Sequence, residues 1–322
     1  MVAEAEFKGK RGEAVAKLKT DAAPVAGESL YQKALKRFLK DWLAMAMLVI
    51  LAVLVVFSIA APVIEMVFNV SYTEVESTRR FLPIGSTSVN EETGVVSTHV
   101  LGTDDLGRDQ FARLAYGGRV TLIIAFSAAL ISLTIGILFG VVTGYFGGIV
   151  DDIIMWMVTT LNSVPTIFLL IIVAALFRPG ALTFALVLGF LGWTGTTRLV
   201  RGETLGLRER EFVIGARSMG ASDWYIMNRH IVPNLISIVV ITLALDIGSL
   251  MLTEAALSFL GLGVQPPVPT WGNMLSNSRE FFRVDGGWHL AIFPGLLITI
   301  SVLCLYVIGD GVRDAFDPMI DK

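Results

Sequence analysis

The stretch VTLIIAFSAALISLTIGILFGVVTGYF, residues 120–146, decides the fold. None of its 27 positions is Asp, Glu, Lys or Arg. A helix needs about 20 mostly apolar residues to cross a bilayer, and this run exceeds that. Working outward, runs of the same kind occupy residues 42–63, 153–177, 181–199, 235–257 and 289–308. The third is interrupted by Asn162, Ser163 and Pro165, and the fourth is short and carries Gly189, Gly192 and Gly195. The fifth contains Asp246 and Glu254. The expectation is an all-α integral membrane protein with six transmembrane helices, which puts both termini on one side. Composition agrees: of 322 residues 54% are hydrophobic and 16% charged, with 31 glycines, against about 25% charged in a soluble domain. Mean hydropathy is +0.70. That excludes a disordered chain, which needs low hydrophobicity and high charge.

Orientation follows from Lys and Arg, which accumulate on the cytoplasmic side. Nine precede the first run: Lys8, Lys10, Arg11, Lys17, Lys19, Lys33, Lys36, Arg37 and Lys40. Six lie between the fourth and fifth runs: Arg198, Arg201, Arg208, Arg210, Arg217 and Arg229. With two in the C-terminal tail, seventeen fall on that side. The eight opposite are Arg79, Arg80, Arg108, Arg113, Arg119, Arg178, Arg279 and Arg283. Both termini and residues 200–234 are therefore expected in the cytoplasm. The first run is too long, and its polar leader of about forty residues too extended, for a cleaved signal peptide. Just before it, Leu30, Ala34, Leu35, Phe38 and Leu39 share a helical face with Lys33, Lys36, Arg37 and Lys40 elsewhere, which suits an interfacial helix. The chain divides into a tail at 1–41, a first transmembrane helix at 42–64, an extracytoplasmic loop at 65–118 and a five-helix core at 119–318. Residues 94–100 are expected to be extended.

Gly136, Gly140 and Gly144 recur every four residues and line one helix face, where small residues let helices approach closely in lipid. The two halves of the chain do not align, so an inverted-repeat carrier gains no support. The sequence holds no GxxxxGK[ST] phosphate loop and no HExxH or GxSxG motif. His99, His230 and His289 fall in separate loops and suggest no metal site. The single cysteine, Cys304, rules out an internal disulfide. A net charge of −3 gives no reason to expect nucleic acid. A membrane enzyme is a poor fit, and energy for any work is expected from another chain.

Residues 208–234, REREFVIGARSMGASDWYIMNRHIVPN, form the most informative loop. They read as two short helices around Gly220, with Ser222 or Asp223 capping the second and Pro233 leading into the fifth span. A helix–glycine–helix between two spans makes a compact knob that a soluble partner can grip. This loop resembles the EAA loop of ABC importer permeases. The EAA positions read Ile214-Gly215-Ala216, Gly220 is in place, and Pro233 follows thirteen residues later. The Ile and Leu positions of the pattern hold His230 and Val232. LGTDDLGRDQFARLAYGGR (101–119), LSFLGLGVQPPVPTWGNML (257–275) and GDGVRDAFDP (309–318) are similar to the C-type permease of the dipeptide/oligopeptide/nickel importers. The resemblance spans roughly 35–318.

The resemblance implies a non-catalytic subunit in a bacterial or archaeal cytoplasmic membrane. It implies pairing with a second, B-type permease, and two ATP-binding-cassette ATPases below that carry the ATP and magnesium, with no cofactor in this chain. An extracytoplasmic binding protein would deliver di- or oligopeptides. Gly215, Ala216, Gly220, Ala221, Asp223 and Pro233 are the implied ATPase-coupling residues: Gly220 for a tight turn, Ala216 to keep the knob small enough to seat, Asp223 to pair with the ATPase. Intramembrane carboxylates are costly and point to function by default. Asp246 is a candidate for the translocation path or for a hydrogen bond to a neighbouring helix, and Glu254 for the path or the membrane surface. The acidic run of Asp104, Asp105 and Asp109 is expected to be solvated. Asp104, Arg108, Asp109 and Trp271, the last at the interface, are the candidate contacts for a binding protein. A nickel or oligosaccharide importer of the same family is the alternative, and a stand-alone ion-coupled carrier the alternative from another class.

Overall fold

In lipid a backbone can satisfy its N–H and C=O groups only within helices or closed barrels, and every apolar run of this chain is helical in the computed structural model. The structure describes residues 30–89, 94–177, 180–281 and 287–317. Lys8, Lys10, Arg11, Lys17, Lys19, Arg178, Arg283 and Pro318 lie outside them. Five uninterrupted spans are Trp42–Ile59, Gln110–Phe146, Ala181–Arg208, Ile236–Phe259 and His289–Phe316. The third run is two helices, Gly148–Asn162 and Thr166–Phe177, bent by 73° at the break. The interfacial helix Leu30–Lys40 precedes the first span, which starts where Asp41 Oδ1 accepts from the N–H groups of Leu43 and Ala44 at 3.0 and 3.1 Å.

The second span begins ten residues before its apolar run. Asp109 caps it, Oδ1 accepting from Ala112 N–H at 2.8 Å. Residues 110–118, expected as loop, are therefore helix.

The glycine face of the second span packs on the fourth. A Cβ on Gly136 would lie 2.5 Å from Thr196 Cβ, one on Gly140 2.6 Å from Val200 Cβ, and one on Gly144 2.6 Å from Thr204 Cβ. Both helices ascend together through these pairs, so they run parallel. Gly189 answers from the fourth span, where a Cβ would meet Ile131 Cβ at 2.7 Å. Two parallel helices need a return between them, and the broken run provides it. Arg201 donates to Asp151 near one end, Thr194 Oγ1 donates to Asn162 Oδ1 halfway along, and Leu170 packs with Phe184 and Leu188 near the other. The broken run thus crosses the bundle antiparallel to the fourth span, making six crossings.

The remaining spans are antiparallel neighbours. Phe57 at the end of the first stacks on Phe111 at the start of the second, centroids 5.3 Å apart. Gly248 faces Leu305, and Gly309 faces Leu245, between the fifth and sixth. Gly311 near the end of the sixth packs on Ala44 at the start of the first, and Arg37 Nη1 donates to the Asp317 carbonyl at 3.0 Å. Residues 30–41, residues 310–317 and loop 209–234 therefore share one end of the bundle. The opposite end carries a hairpin, β1 (Ser86–Val89) antiparallel to β2 (Val96–His99) with Ser86 opposite His99, and the short helix Trp271–Ser278. The extended segment expected at 94–100 is β2.

Candidate functional site

The knob is built as its sequence suggests. Helix Glu211–Ser218 ends in a Schellman turn: Ala221 N–H bonds the Ala216 carbonyl at 3.1 Å and Gly220 N–H the Arg217 carbonyl at 3.0 Å. That turn needs a left-handed residue after the cap, and Gly220 has φ +82°. Ser222 Oγ then accepts from Tyr225 N–H at 3.3 Å and starts helix Asp223–Ile226. Ser222, not Asp223, is the cap. A π-turn at Met227–Ile231 and a 3-10 turn at Val232–Leu235, which includes Pro233, lead into the fifth span.

Val213, Ala216, Ile226, Met227, Ile231 and Leu235 form one buried cluster with Val141, Tyr145 and Val200. The knob thus sits on the ends of the second and fourth spans. Tyr145 OH donates to Asp223 Oδ1 at 2.6 Å, and the Arg217 guanidinium lies 5.3 Å over the Tyr145 ring. One expectation changes: Ala216 is buried within the chain, so its small size serves packing on the second span. Asp223 is exposed, and the Tyr145 bond to its Oδ1 also holds the knob to its own bundle. Large apolar side chains project outward, Met219 84% exposed and Trp224 71%, beside exposed Phe212, Ile214 and Tyr225, among exposed charged groups that include Glu211, Arg217 and Arg229. Gly215 is half-buried and Gly220 exposed. Tyr145, the anchor, was missed because it stands in an apolar run and reads as an interfacial aromatic.

At the opposite end the acidic run is not solvated. Asp104 is buried; its Oδ1 accepts from Leu106 and Arg108 N–H at 2.9 Å each, and its Oδ2 from Arg108 Nε at 2.8 Å. Arg113 Nε approaches the same oxygen at 3.4 Å. Asp109, also buried, accepts from His99 Nδ1 at 2.9 Å as well as capping the second span. His99 Nε2 meets Ser88 Oγ at 2.9 Å, which ties the hairpin to the helix cap. Asp105 is the most open of the three; burial first, then the adjacent Asp104 carboxylate, push its carboxyl above the ordinary range. Trp271 is 0% exposed. Its indole N–H donates to the Leu114 carbonyl at 2.8 Å and its backbone N–H to Thr121 Oγ1 at 3.1 Å. Asp104, Arg108, Asp109 and Trp271 are therefore not a contact surface for a binding protein. They are internal struts that brace the start of the second span, and buried ion pairs of this kind need such partners. Sequence alone could not separate an exposed acidic loop from this network, since its contacts cross up to 157 residues.

Within the membrane, Asp246 is half-buried and accepts from Thr196 Oγ1 of the fourth span at 3.3 Å. The expected hydrogen bond to a neighbouring helix is present. Glu254 is 0% exposed and accepts from Ser258 Oγ at 2.7 Å, enclosed where Gly272 packs on Ala255 and Ser258. Neither the membrane surface nor an open path is its place. The two carboxylates face different neighbours. Among the described residues no cluster of three or more His, Cys, Asp or Glu could hold a metal ion.

Comparisons with known proteins bear on this arrangement. Residues 136–322 match the family model of the binding-protein-dependent transport system inner membrane component. Residues 29–81 match the N-terminal TM domain of oligopeptide transport permease C. The oligopeptide transport system permease protein OppC of Haemophilus influenzae is 36% identical over 292 residues, covering 91% of this chain and 89% of that one. The OppC of Escherichia coli K12 is 37% identical over 294 residues, 91% of this chain and 93% of that one. The glutathione transport system permease protein GsiD of Pectobacterium atrosepticum is 41% identical over 227 residues, 70% and 75%. An inward-facing structure of the MetNI methionine ABC transporter aligns with a TM-score of 0.48 at 21% identity, over 62% of this chain and 94% of that one.

Proposed function

The chain belongs to the binding-protein-dependent transport inner membrane components, and from that premise we propose that it is the C-type permease subunit of an ATP-driven importer of di- or oligopeptides. Its relatives named as oligopeptide permeases support the cargo class. The observation that carries the mechanism is the capped knob with its exposed apolar tip, locked onto the second and fourth spans.

In this reading the chain performs no covalent step. ATP and magnesium are bound and hydrolysed on two partner ATPases, and a second permease completes the path. Met219, Trp224 and Ile214 bury against an ATPase at the end of the bundle that carries residues 30–41 and 310–317, the side read as cytoplasmic from its excess of lysine and arginine. Gly215 and Ala221 keep the knob slim beside that tip, and Pro233 fixes its junction with the fifth span. A partner can drive a two-state bundle only through an element rigid enough to move with it. The Schellman turn at Gly220, the Ser222 cap and the Tyr145–Asp223 bond give the knob that rigidity. Its motion then passes to the second span through Tyr145 and to the fifth through the continuous turn 227–235. The binding protein docks at the opposite end, on surfaces other than the buried struts described above.

The test is to isolate the tagged subunit from native membranes in mild detergent and identify its companions. A second permease and ATPase subunits are expected, and in liposomes the complex should hydrolyse ATP faster when a peptide-loaded binding protein is added. A chain that purifies alone and drives uptake alone under an ion gradient would overturn the reading.

A further inference from the structure

The break in the third span lies at a depth where open backbone should not meet lipid. Asn162 bonds Thr194, halfway along the helix Ala181–Arg208. Two positions on, Thr196 faces Gly136 and bonds Asp246, in the middle of the fifth span. Thr194, Thr196 and Asp246 thus place the break near the middle of the fourth and fifth spans. Here the helix stops: Ser163 N–H reaches the Thr160 carbonyl at 3.2 Å, and the next bond is Phe168 N–H to the Pro165 carbonyl at 2.9 Å. Pro165 has no N–H to return to the Leu161 carbonyl. Residues 159–168 are exposed without exception, and Thr159, Thr160, Asn162, Ser163 and Thr166 make half of them polar.

Irregular backbone at this depth is tolerated only against protein or a water-filled cavity; in secondary transporters, a different class, broken spans at the midplane mark the cargo site. Thr194 and Thr196 point to either side of Gly195, which is exposed with nothing within 4 Å of a built Cβ. The fourth span therefore forms the floor of a groove, the broken third span one wall and the fifth span with Asp246 the other. Beside the break, a cavity of about 330 Å³ is lined by Thr166, Ile167, Leu170, Leu252, Thr253 and Leu257.

Resting on the importer reading above, the geometry points to this groove as the point where cargo crosses the midplane. The Leu161 carbonyl and the Asn162 and threonine side chains offer hydrogen-bonding groups without fixed charge, suited to the main chain of an extended peptide. The adjacent cavity takes apolar side chains of varied shape, Asp246 supplies a carboxylate matched to an amino terminus, and exposed Arg198, one turn beyond Gly195 on the floor helix, supplies a cation matched to a carboxyl terminus. Recognition through the main chain accepts many sequences.

The test uses the assembled transporter in liposomes. Cys304 is the single cysteine, so C304S gives a subunit without thiols, into which S163C is placed. V53C on the first span, 61% exposed and flanked by apolar residues, is the lipid-facing control. A charged, membrane-impermeant methanethiosulfonate is expected to label S163C at least tenfold faster than V53C. Trialanine or pentaalanine, supplied with binding protein and ATP, should slow that labelling severalfold. T160C repeats the measurement should S163C fail to assemble. Labelling as slow as at V53C both without nucleotide and with ATP would mean that the break is sealed against a partner helix and would overturn the assignment. Fast labelling indifferent to peptide would remove the cargo contact. The C304S parent keeps the two readings apart: if it takes up neither peptide, the importer reading fails, whereas normal uptake with an inaccessible Ser163 position refutes only the groove.

Discussion

Replacing Gly140 by alanine tests the helix pairing on which the whole architecture rests. The added methyl would sit 2.6 Å from Val200 Cβ, 2.7 Å from Val200 Cγ1 and 2.9 Å from the Thr197 carbonyl. Carbon atoms settle at about 3.5–4.0 Å, so the second and fourth spans must part by about 1 Å. A gap of that size forfeits about a quarter to a half of each dispersion contact it opens, and it opens them at Gly136 and Gly144 too. Overpacking of this kind costs about 1–3 kcal/mol. Opposing it, alanine gains up to about 1 kcal/mol of helix propensity over glycine. The net expectation is a loss of about 1–2 kcal/mol. Gly195→Ala on the partner helix makes the same chemical change where nothing lies within 4 Å, so only the propensity gain remains. Thermal melting of the purified transporter in detergent, followed by intrinsic fluorescence, should place G140A several degrees below the parent and G195A level with it or above. G140A melting with the parent, or both variants shifting together, would refute the close packing and the parallel register drawn from it.

Three further outcomes follow from other parts of the molecule. Asp151→Asn removes the charge and one of the two bonds from Arg201, at 2.6 and 2.5 Å, that hold the first half of the broken span; about 1–2 kcal/mol of stability should be lost for this partly exposed pair, and the exchange D151R with R201D should recover part of it in the same melting assay. Gly220→Val forces a β-branched residue to φ +82°, a conformation such residues almost never adopt. With open space around it the complex should still assemble but lose most peptide-stimulated ATP hydrolysis, and full stimulation in an assembled G220V complex would remove the coupling role. Asp105 has its carboxyl raised on folding from an ordinary 3.8, so its contribution is present below that pH and fades as pH climbs through the raised folded value. Asp105→Asn abolishes the titration, and its melting temperature should therefore gain on the parent as pH rises above about 4; a difference that stays constant with pH would contradict the burial argument.

The sequence by itself determined the class of the molecule. Uncharged runs such as residues 120–146 leave a helix in lipid as the only way to satisfy the backbone, and the spacing of Gly136, Gly140 and Gly144 announced a close helix contact. The knob was legible for a similar reason: a left-handed turn requires glycine, and a serine two residues later supplies the cap. These signals are local, set within a few residues by backbone geometry and solvent. Tertiary structure decided which charged and aromatic groups are hidden. Asp104, Asp109 and Trp271 look exposed in one dimension, yet their partners arrive from the hairpin, the second span and the far loop. Glu254 and Asp246 share one helix, but only packing shows that the first is enclosed under residues 271–278 and the second turned toward Thr196. Whether a side chain is buried depends on which distant segment lies over it, and that is a property of the assembled helices, not of its neighbours in sequence.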